Sequence, residues 1–334
     1  MLKNIFLIIA LVVSSSLFAI ESFVYHEGSS DKFFVEQVRL INNGTLQEKI
    51  AAIETLKKSK TKRALRPLIL ALKGVTQNAE PTKSQTQAIS EKDNYAPINF
   101  VIPDNNRPVI KFLAAQALAE IGNELAIKPL ADQYKILAEQ VTKDKDQKIF
   151  YADTEKMPAV VAAGEILMSL GYLLDPFEDK ESFDVIVKAL DHEHFFVRAC
   201  AAEALRNTRR EAAIAAIDGA IGKEKDDYAR TVMLASVVGI KKTNSKHFFQ
   251  LLDMLKNPSP LVRIKTSSML GELAIASSET YLRQAMMIED DLLVRNQMKK
   301  DIGYITGYQI PNAPSSTYNT SSDERDRNKQ SAAP

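Results

Sequence analysis

The sequence contains no tryptophan and a single cysteine, and only 12 of its 334 residues are glycine. One cysteine cannot form a disulfide within the chain, so the fold must be held together by packing. The abundance of Ala, Leu, Ile, Lys and Glu favours helices, because these side chains lose little freedom in a helix. Cys200 itself lies in an alanine-rich run, where a small buried thiol is ordinary.

An excess of charge of either sign is also missing. The chain has 43 Lys and Arg against 42 Asp and Glu, a formal net charge of +1. A general nucleic-acid binder is usually more basic, so we expect no nucleic-acid partner. The sequence has no glycine-rich phosphate loop, no nucleophile elbow and no paired catalytic carboxylates. We therefore expect a protein that is not an enzyme and that carries no cofactor.

An apolar run at the N-terminus predicts export. Lys3 precedes the unbroken apolar run over residues 5–13, and Ala19 stands at a candidate cleavage position. This pattern is typical of a secretory signal peptide, here residues 1–19. We therefore expect a periplasmic or secreted protein with no membrane span after cleavage. The alternative is an uncleaved single-pass anchor, for which the run is short.

The rest of the chain repeats itself. A basic residue followed seven positions later by an apolar one recurs at Arg198, Arg230, Arg263 and Arg295. The intervals between these four residues are 32, 33 and 32 positions. Weaker copies of the pattern contain Lys49 and Lys111, and Val160 takes the basic position in a third. A period near 32 that holds two helical patterns predicts stacked helical hairpins.

Two segments interrupt the repeats. Residues 75–107 and 142–157 are insertions, and loops of this length are either functional or disordered. The tail is rich in Pro, Ser, Asn and charge, which cannot form a core. The predicted organisation is a signal peptide (1–19), a lead-in (20–30), a solenoid of about seven hairpins (31–308) and a disordered tail (309–334).

The repeated unit resembles the HEAT repeat family, in the short form also seen in the HEAT-like repeats of phycobilin lyases. The resemblance rests on the helix pair, on the recurrent Val-Arg, and on two small residues followed by Leu in the second helix. These small pairs are Ala114-Ala115, Ala201-Ala202 and Ser267-Ser268. The resemblance implies an all-α fold, an α-solenoid. It implies no particular function, because repeat scaffolds serve many.

Two of the four histidines stand in one turn, Asp191 to His194. A catalytic zinc takes three protein ligands and water, and the chain has no HExxH motif and no cysteine cluster. We therefore predict no metal site. We expect Asp191 or Glu193 to cap the following helix and both histidines to be solvated.

The basic residues at the repeat anchors form a column. They are Lys49, Lys111, Arg198, Arg230, Arg263 and Arg295. In HEAT repeats an arginine here pairs with an acidic group of a neighbouring turn, so the resemblance implies a structural ladder that ties adjacent repeats. The aspartates suited to be its partners are Asp191, Asp227, Asp290 and Asp291.

A second basic group stands at the ends of second helices: Arg206, Arg209, Arg210, Lys241 and Lys242. These residues either complement the helix dipole or form a shared surface for an anionic partner. We expect second helices to line the concave face, the usual place for a long partner. The predicted function is an exported, non-catalytic scaffold that binds a protein with an acidic segment. The alternative is an enzyme, or a cofactor- or chromophore-modifying factor, on a HEAT scaffold.

Overall fold

The computed structural model describes residues 30–76, 100–101, 106–144, 147–149, 153–241 and 246–307. Within these ranges the helices are α1 (Ser30–Asn43), α2 (Leu46–Ser59), α3 (Leu65–Lys73), α4 (Pro108–Ile121), α5 (Ile127–Lys143), α6 (Ala159–Leu173), α7 (Lys180–Ala189), α8 (Phe195–Asn207), α9 (Ala212–Ile221), α10 (Asp227–Lys241), α11 (Lys246–Asp253), α12 (Pro260–Leu273), α13 (Ser278–Ile288) and α14 (Leu292–Thr306). Short 3-10 helices span Lys62–Ala64, Glu124–Ala126, Thr154–Lys156 and Met254–Lys256, and two strands, β1 (Val75–Thr76) and β2 (Phe100–Val101), complete the set.

The all-α prediction is confirmed, because the helices of the described residues follow one another in seven consecutive pairs. The chain divides into two compact units, the first ending at Met254 and the second beginning at Leu255. In the first unit each second helix packs against the next, so that α2, α4, α6, α8 and α10 form one layer. Each first helix, from α1 to α9, packs on the second helix of its own pair. In the second unit, α14 packs against both α12 and α13. This packing is that of HEAT-like solenoid hairpins.

Local signals begin and end these helices. Thr45 and Glu48 form a capping box at the start of α2, in which each accepts a hydrogen bond from the backbone of the other. Pro108 and Pro260 occupy the first turns of α4 and α12, where the missing N–H has no helical partner to lose. Gly122 ends α4 with φ of 68°, a left-handed conformation that glycine adopts without steric cost.

Small residues allow the second helices to approach closely. Ala114, Ala115, Ala201 and Ala202 are fully buried between helices of the layer. Gly171 on α6 faces the backbone of Ala204 on α8, where a Cβ atom would overlap. The small-residue core of the repeat therefore brings adjacent second helices together.

The insertions are described only in part. β1 and β2 pair antiparallel, Val75 with Val101, and so close the base of the predicted 75–107 insertion. Residues 77–99 and 102–105 of that insertion lie outside the described residues, as do the predicted signal peptide, most of the lead-in and the tail. In the second insertion, the side-chain oxygen of Gln147 accepts a hydrogen bond from the Val160 N–H at 3.1 Å. This hydrogen bond lies at the start of α6, where Val160 takes the position that is basic in the other repeats.

Candidate functional site

The histidine turn is built around His194, which occupies the N-cap of α8. Its Nδ1 accepts from the Phe196 N–H at 3.2 Å, and its Nε2 lies 2.9 Å from the Gln147 carbonyl. The ring therefore carries its proton on Nε2, the tautomer that satisfies both contacts. His194 is buried, whereas the sequence predicted a solvated histidine and a cap from Asp191 or Glu193. As the cap, His194 joins the N-terminus of α8 to the second insertion.

His192 is also engaged at both nitrogens. Its Nδ1 accepts from the His194 N–H at 3.0 Å, and Nε2 lies 3.3 Å from both the Ala138 carbonyl and the Thr142 hydroxyl. Neither ring offers a free lone pair to a metal ion. Across the described ranges, no group of three or more His, Cys, Asp or Glu side chains could hold a metal ion.

The anchor residue Arg198 joins two successive turns of the solenoid through hydrogen bonds to both, an arrangement that we call a clamp. Its guanidinium donates to both carboxylate oxygens of Glu224 at 2.7 Å, in the next turn of the solenoid. It also donates to the His192 and Glu193 carbonyls of its own turn, both at 2.8 Å. Glu224 lies 26 residues after Arg198. The planar fork of arginine suits this bidentate contact, and lysine could not reproduce it.

The second unit contains the same clamp. Arg263 donates to Glu289 at 2.7 and 2.8 Å, again over 26 residues. It also donates to the Asn257 and Pro258 carbonyls of its own turn, at 2.8 and 3.1 Å. The two clamps are 65 positions apart in the sequence, two repeats.

The other anchors bind carbonyls near them. Arg230 donates to the Glu224 carbonyl at 2.5 Å, and Arg295 donates to the Glu289 carbonyl. Lys49 donates to the Asn42 carbonyl at 3.4 Å. Lys111 donates to the Leu72 carbonyl at 3.1 Å, and burial lowers its pKa to about 8. Every residue of the predicted ladder thus binds a backbone carbonyl of its own helix pair, at the end of the first helix or in the turn that follows it.

The clamp acids differ from the predicted partners. Asp191 instead meets Lys223 at the surface, at 2.6 Å, and Asp291 caps α14 by accepting from the Leu293 N–H at 2.8 Å. The Asp227 carbonyl accepts from the Thr231 hydroxyl, and Asp290 is exposed. Glu224 and Glu289 were missed because no neighbouring motif marks them. Their equal distance from Arg198 and Arg263 is the sequence signal that could have found them.

The two clamp carboxylates are held ionised. Burial by itself would raise the pKa of Glu224, but hydrogen bonds from Arg198 and from the Asp226 and Lys225 N–H groups lower it. The Arg263 hydrogen bonds lower the pKa of Glu289 against its burial, and the Asp291 N–H adds to this effect. Both clamps therefore persist at neutral pH as ion pairs.

A row of polar side chains crosses the second-helix layer of the first unit. Lys57 on α2 lies 2.9 Å from Glu54 on the same helix and 3.7 Å from Glu120 on α4. At the other end, Arg206 on α8 lies 3.2 Å from Glu203. We call these residues, together with Gln116, Glu165 and Ser169, the polar row.

Glu165 is the centre of the polar row. It is only 5% exposed, and it accepts hydrogen bonds from Gln116 on α4 and from Ser169 on its own helix, α6. Burial raises the pKa of Glu165 to about 7, with a smaller contribution from Glu203 on α8 and an opposing one from Lys57. Sequence reasoning missed this group, because a lone glutamate in an apolar helix carries no motif. Four adjacent second helices therefore act on one titrating carboxyl.

Three of the predicted partner-binding residues have contacts within the chain. Arg206 pairs with Glu203, and Arg209 lies 3.8 Å from Asp175. Arg210 donates to the Leu174 and Phe177 carbonyls, both at 2.9 Å, and its guanidinium covers the Phe183 ring. Lys241 is half-buried in the last turn of α10, and Lys242 lies outside the described residues. Partner binding by these residues stays a prediction, and Arg210 in addition joins the end of α8 to the α6–α7 connection.

Sequence comparison identifies part of this solenoid. Residues 156–237 match the family model for HEAT repeats. The matched segment contains Arg198, Glu224 and Arg230, so the first clamp lies within the part of the chain that is similar to HEAT repeats. The predicted resemblance is thereby confirmed.

Similarity to other known proteins is slight. No curated protein matches the sequence. The solved complex of CpcE and CpcF of phycocyanin lyase from Nostoc sp. PCC7120 is 15% identical, with a TM-score of 0.45 over 87% of this chain and 100% of that chain. Two crystal structures of engineered proteins are 17% and 16% identical, each with a TM-score of 0.32 over 82% of this chain and 97% and 68% of theirs. Similarity at this level does not extend to function.

Two clefts open on the HEAT repeats of the first unit. One, of about 500 Å³, is lined mainly by polar and charged side chains around His194 and Arg198. The other, of about 510 Å³, lies between α5 and α7 and is lined by Tyr134, Val185 and several charged residues. Small-molecule sites are mostly enclosed, whereas both of these clefts are open to solvent. Among the described helices, none is long and apolar enough to cross a membrane.

Proposed function

We propose that this protein is an exported, non-catalytic HEAT scaffold that binds a protein partner through the second-helix layer of its first unit. The observation that carries the proposal is the continuity of that layer, from α2 to α10. Stacked repeats offer extended surfaces of this kind, which suit a long partner better than a small ligand. The polar row gives the layer partly exposed groups that could recognise such a partner.

The charge of the polar row indicates the kind of recognition. Its acidic side chains, on four helices, stand beside the basic side chains of Lys57 and Arg206. A partner would therefore meet charges of both signs, which favours specificity and register over general attraction. The predicted acidic segment of the partner would have to compete with Glu203 for Arg206 and with Asp175 for Arg209.

Two features support a binding role over catalysis. The ring nitrogens of His192 and His194 are committed to structural hydrogen bonds, and the arginines of the clamps hold turns together. Groups that are held in such structural hydrogen bonds are poorly placed to exchange protons with a substrate. The alternative, a cofactor- or chromophore-modifying factor, would show itself as absorbance or stoichiometric metal in the purified protein.

Photocrosslinking tests the binding face directly. A photoreactive residue is placed at Phe112 on α4 or at Met168 on α6, both partly exposed beside the polar row. The matched control is Ile136, which is 53% exposed and lies on α5, the first helix of its pair. We expect one discrete adduct in envelope extracts from positions 112 and 168 and none from position 136. An adduct from position 136 alone would place the partner on the other face and contradict the proposal.

Export is tested separately. The signal-peptide prediction expects the cellular protein to lack residues 1–19 and to fractionate outside the cytoplasm. Mass spectrometry of the N-terminal peptide distinguishes cleavage from a retained anchor. Recovery of intact Met1 to Ala19 in the cellular protein would refute the cleavage.

A further inference from the structure

Four acceptor side chains of the polar row share one position in the repeat, five residues after the anchor of the second helix. They are Glu54, Gln116, Glu165 and Glu203, on α2, α4, α6 and α8. On α10 the same position holds Ala235, so the row ends at α8. These four helices pack side by side, and equivalent positions of stacked repeats lie next to one another across such a layer. The layer thus presents side-chain oxygens on successive helices at intervals of about 10 Å.

Acidic side chains outnumber basic ones in the polar row. The two cations, Lys57 and Arg206, stand at its ends on α2 and α8, and each lies beside a carboxylate of the row. On the two central helices, α4 and α6, the charged side chains other than the buried anchor Lys111 are Glu120 and Glu165. The centre of the layer therefore carries acidic groups and no basic group of its own on the exposed side.

Glu165 has hydrogen-bond donors around it but no counter-ion. Its carboxyl accepts from the Gln116 amide and, at 3.4 Å, from the Ser169 hydroxyl, which are both neutral groups. Within the described ranges no Lys, Arg or His side chain forms an ion pair with Glu165, and Lys57 acts on it only from a distance. Glu203 on α8 adds a like charge. A carboxyl in this setting gains most from a cation that arrives from outside the chain.

The surroundings of Glu165 suit the stem of a basic side chain. Val161 and Met168, one helical turn before and after Glu165 on the same face of α6, are partly exposed. Phe112 stands one turn before Gln116 on α4 and is partly exposed as well. Lysine and arginine have methylene stems that pack along apolar side chains while the charged end reaches a polar group. An acidic side chain has no such stem and would meet carboxylates of its own charge sign.

We propose that the centre of the polar row binds a basic side chain, lysine or arginine, of the partner protein, with its charged end at Glu165. This inference rests on the proposed function, because it names the kind of segment that the second-helix layer would bind. The sign is opposite to the acidic segment predicted from the sequence, since Arg206 and Arg209 lie beside Glu203 and Asp175 of the chain itself. A contact between opposite charges at this point would set the register of the partner more than its affinity.

Binding of two synthetic peptides to the purified chain tests the sign of the charge. Fluorescence anisotropy compares labelled hexalysine with labelled hexaglutamate, and we expect hexalysine to bind more tightly. Glu165→Gln removes the charge and keeps the size of the side chain, and it should weaken hexalysine binding at least about fivefold. Glu139→Gln, which changes an exposed glutamate on the first helix α5, is the matched control and should bind like the wild type. Tighter binding of hexaglutamate, or equal binding by wild type and Glu165→Gln, overturns the inference.

A pH series adds a readout that a loss of structure would not imitate. Burial raises the pKa of Glu165 to about 7, and a cation binds the ionised carboxyl. Hexalysine affinity for the wild type should therefore rise about tenfold between about pH 5.5 and 7.5 and be nearly constant for Glu165→Gln. The groups that face Glu165 are Glu203, Lys57 and the neutral Gln116 and Ser169. If Glu165→Gln does not fold, the wild-type series decides, and an affinity that does not change with pH contradicts the inference.

Crosslinking separates failure of this inference from failure of the proposed function. A photoreactive residue at Met168 should crosslink labelled hexalysine in the purified protein, and one at Ile136 should not. If position 168 captures a partner from envelope extracts but hexalysine binding does not depend on Glu165, the layer is a binding face for a partner of different charge and this inference is wrong. If hexalysine crosslinks at position 168 with the expected pH dependence and extracts give no adduct, the cation site stands and the proposed function fails.

Discussion

The carboxylate of Glu289 accepts two hydrogen bonds from the guanidinium of Arg263, at 2.7 and 2.8 Å, across 26 residues of sequence. The side chains are only 15% and 6% exposed, so this is a largely desolvated pair. Arg198 and Glu224 repeat it in the first unit. In both places one arginine holds its own turn and the next one, which fixes the register between successive second helices.

Loss of this clamp should destabilise the fold. We expect Arg263→Ala to lower the free energy of unfolding by about 1–3 kcal/mol, because it leaves a buried carboxylate without its cation. Urea unfolding followed by circular dichroism measures the loss. Arg283→Ala removes the exposed pair with Glu279 and should cost less than about 0.5 kcal/mol. Equal losses for the two variants would show that burial does not determine how much the ion pair stabilises the fold.

The clamp should also contribute to acid sensitivity. The pKa of Glu289 is lowered from 4.5 in the folded protein, so its stabilisation is complete above that pH and is lost as the pH falls through the lowered value. Glu289→Gln should therefore be less stable than wild type at pH 7 but lose less stability between pH 7 and pH 3. Unfolding curves at the two pH values check this, and a parallel loss in both proteins would argue against the assignment.

Glu165 should give the opposite dependence. Its pKa is raised from 4.5 to about 7, so the folded state holds a proton that the unfolded state has released. The free energy of unfolding should fall by on the order of 3 kcal/mol in total as the pH rises from 4.5 to 7. Above pH 7 it should level off. Glu165→Gln should remove most of this slope, whereas Glu120→Gln, which changes a half-exposed side chain, should keep it. A slope unchanged by Glu165→Gln would place the titration elsewhere.

We expect His194 to act as a helix cap and not as a metal ligand. His194→Ala removes the hydrogen bond to the Phe196 N–H and the contact with Gln147, and should cost about 1–2 kcal/mol. His194→Asn should recover part of the loss, since asparagine is a good N-cap residue. Added zinc should leave the melting temperature of the wild type unchanged. A zinc-dependent rise that His194→Ala abolishes would instead reveal a metal site.

Glycine substitutions should separate close packing from helix propensity. Gly171→Ala places a Cβ against the Ala204 backbone and should destabilise by about 1–3 kcal/mol. Gly219, within α9, has open space where its Cβ would be, so Gly219→Ala should stabilise by about 0.5–1 kcal/mol. Thermal unfolding of the two variants measures both effects, and a loss in both would mean that α9 packs more tightly than its surroundings indicate.

The sequence by itself determined the repeat and its core. Arg198, Arg230, Arg263 and Arg295 recur at intervals of 32 or 33 residues, and each marks the start of a second helix. The small residues at Ala114-Ala115 and Ala201-Ala202 are buried between helices, as the repeat pattern required. These features are readable because helix periodicity and helix caps act over a few residues, so their signals stand in one short stretch.

Only the tertiary structure decided which groups meet. Glu224 and Glu289 became the clamp acids because stacking sets the distance between successive turns, and the sequence alone offered several aspartates nearby. Gln147 reaches His194 over 47 residues, which no local pattern encodes. The pKa of Glu165 is raised to about 7 because the packed second helices bury its carboxyl, against the opposing hydrogen bonds from Gln116 and Ser169. Burial and hydrogen bonding across helices depend on packing geometry, and that geometry exists only once the repeats have stacked.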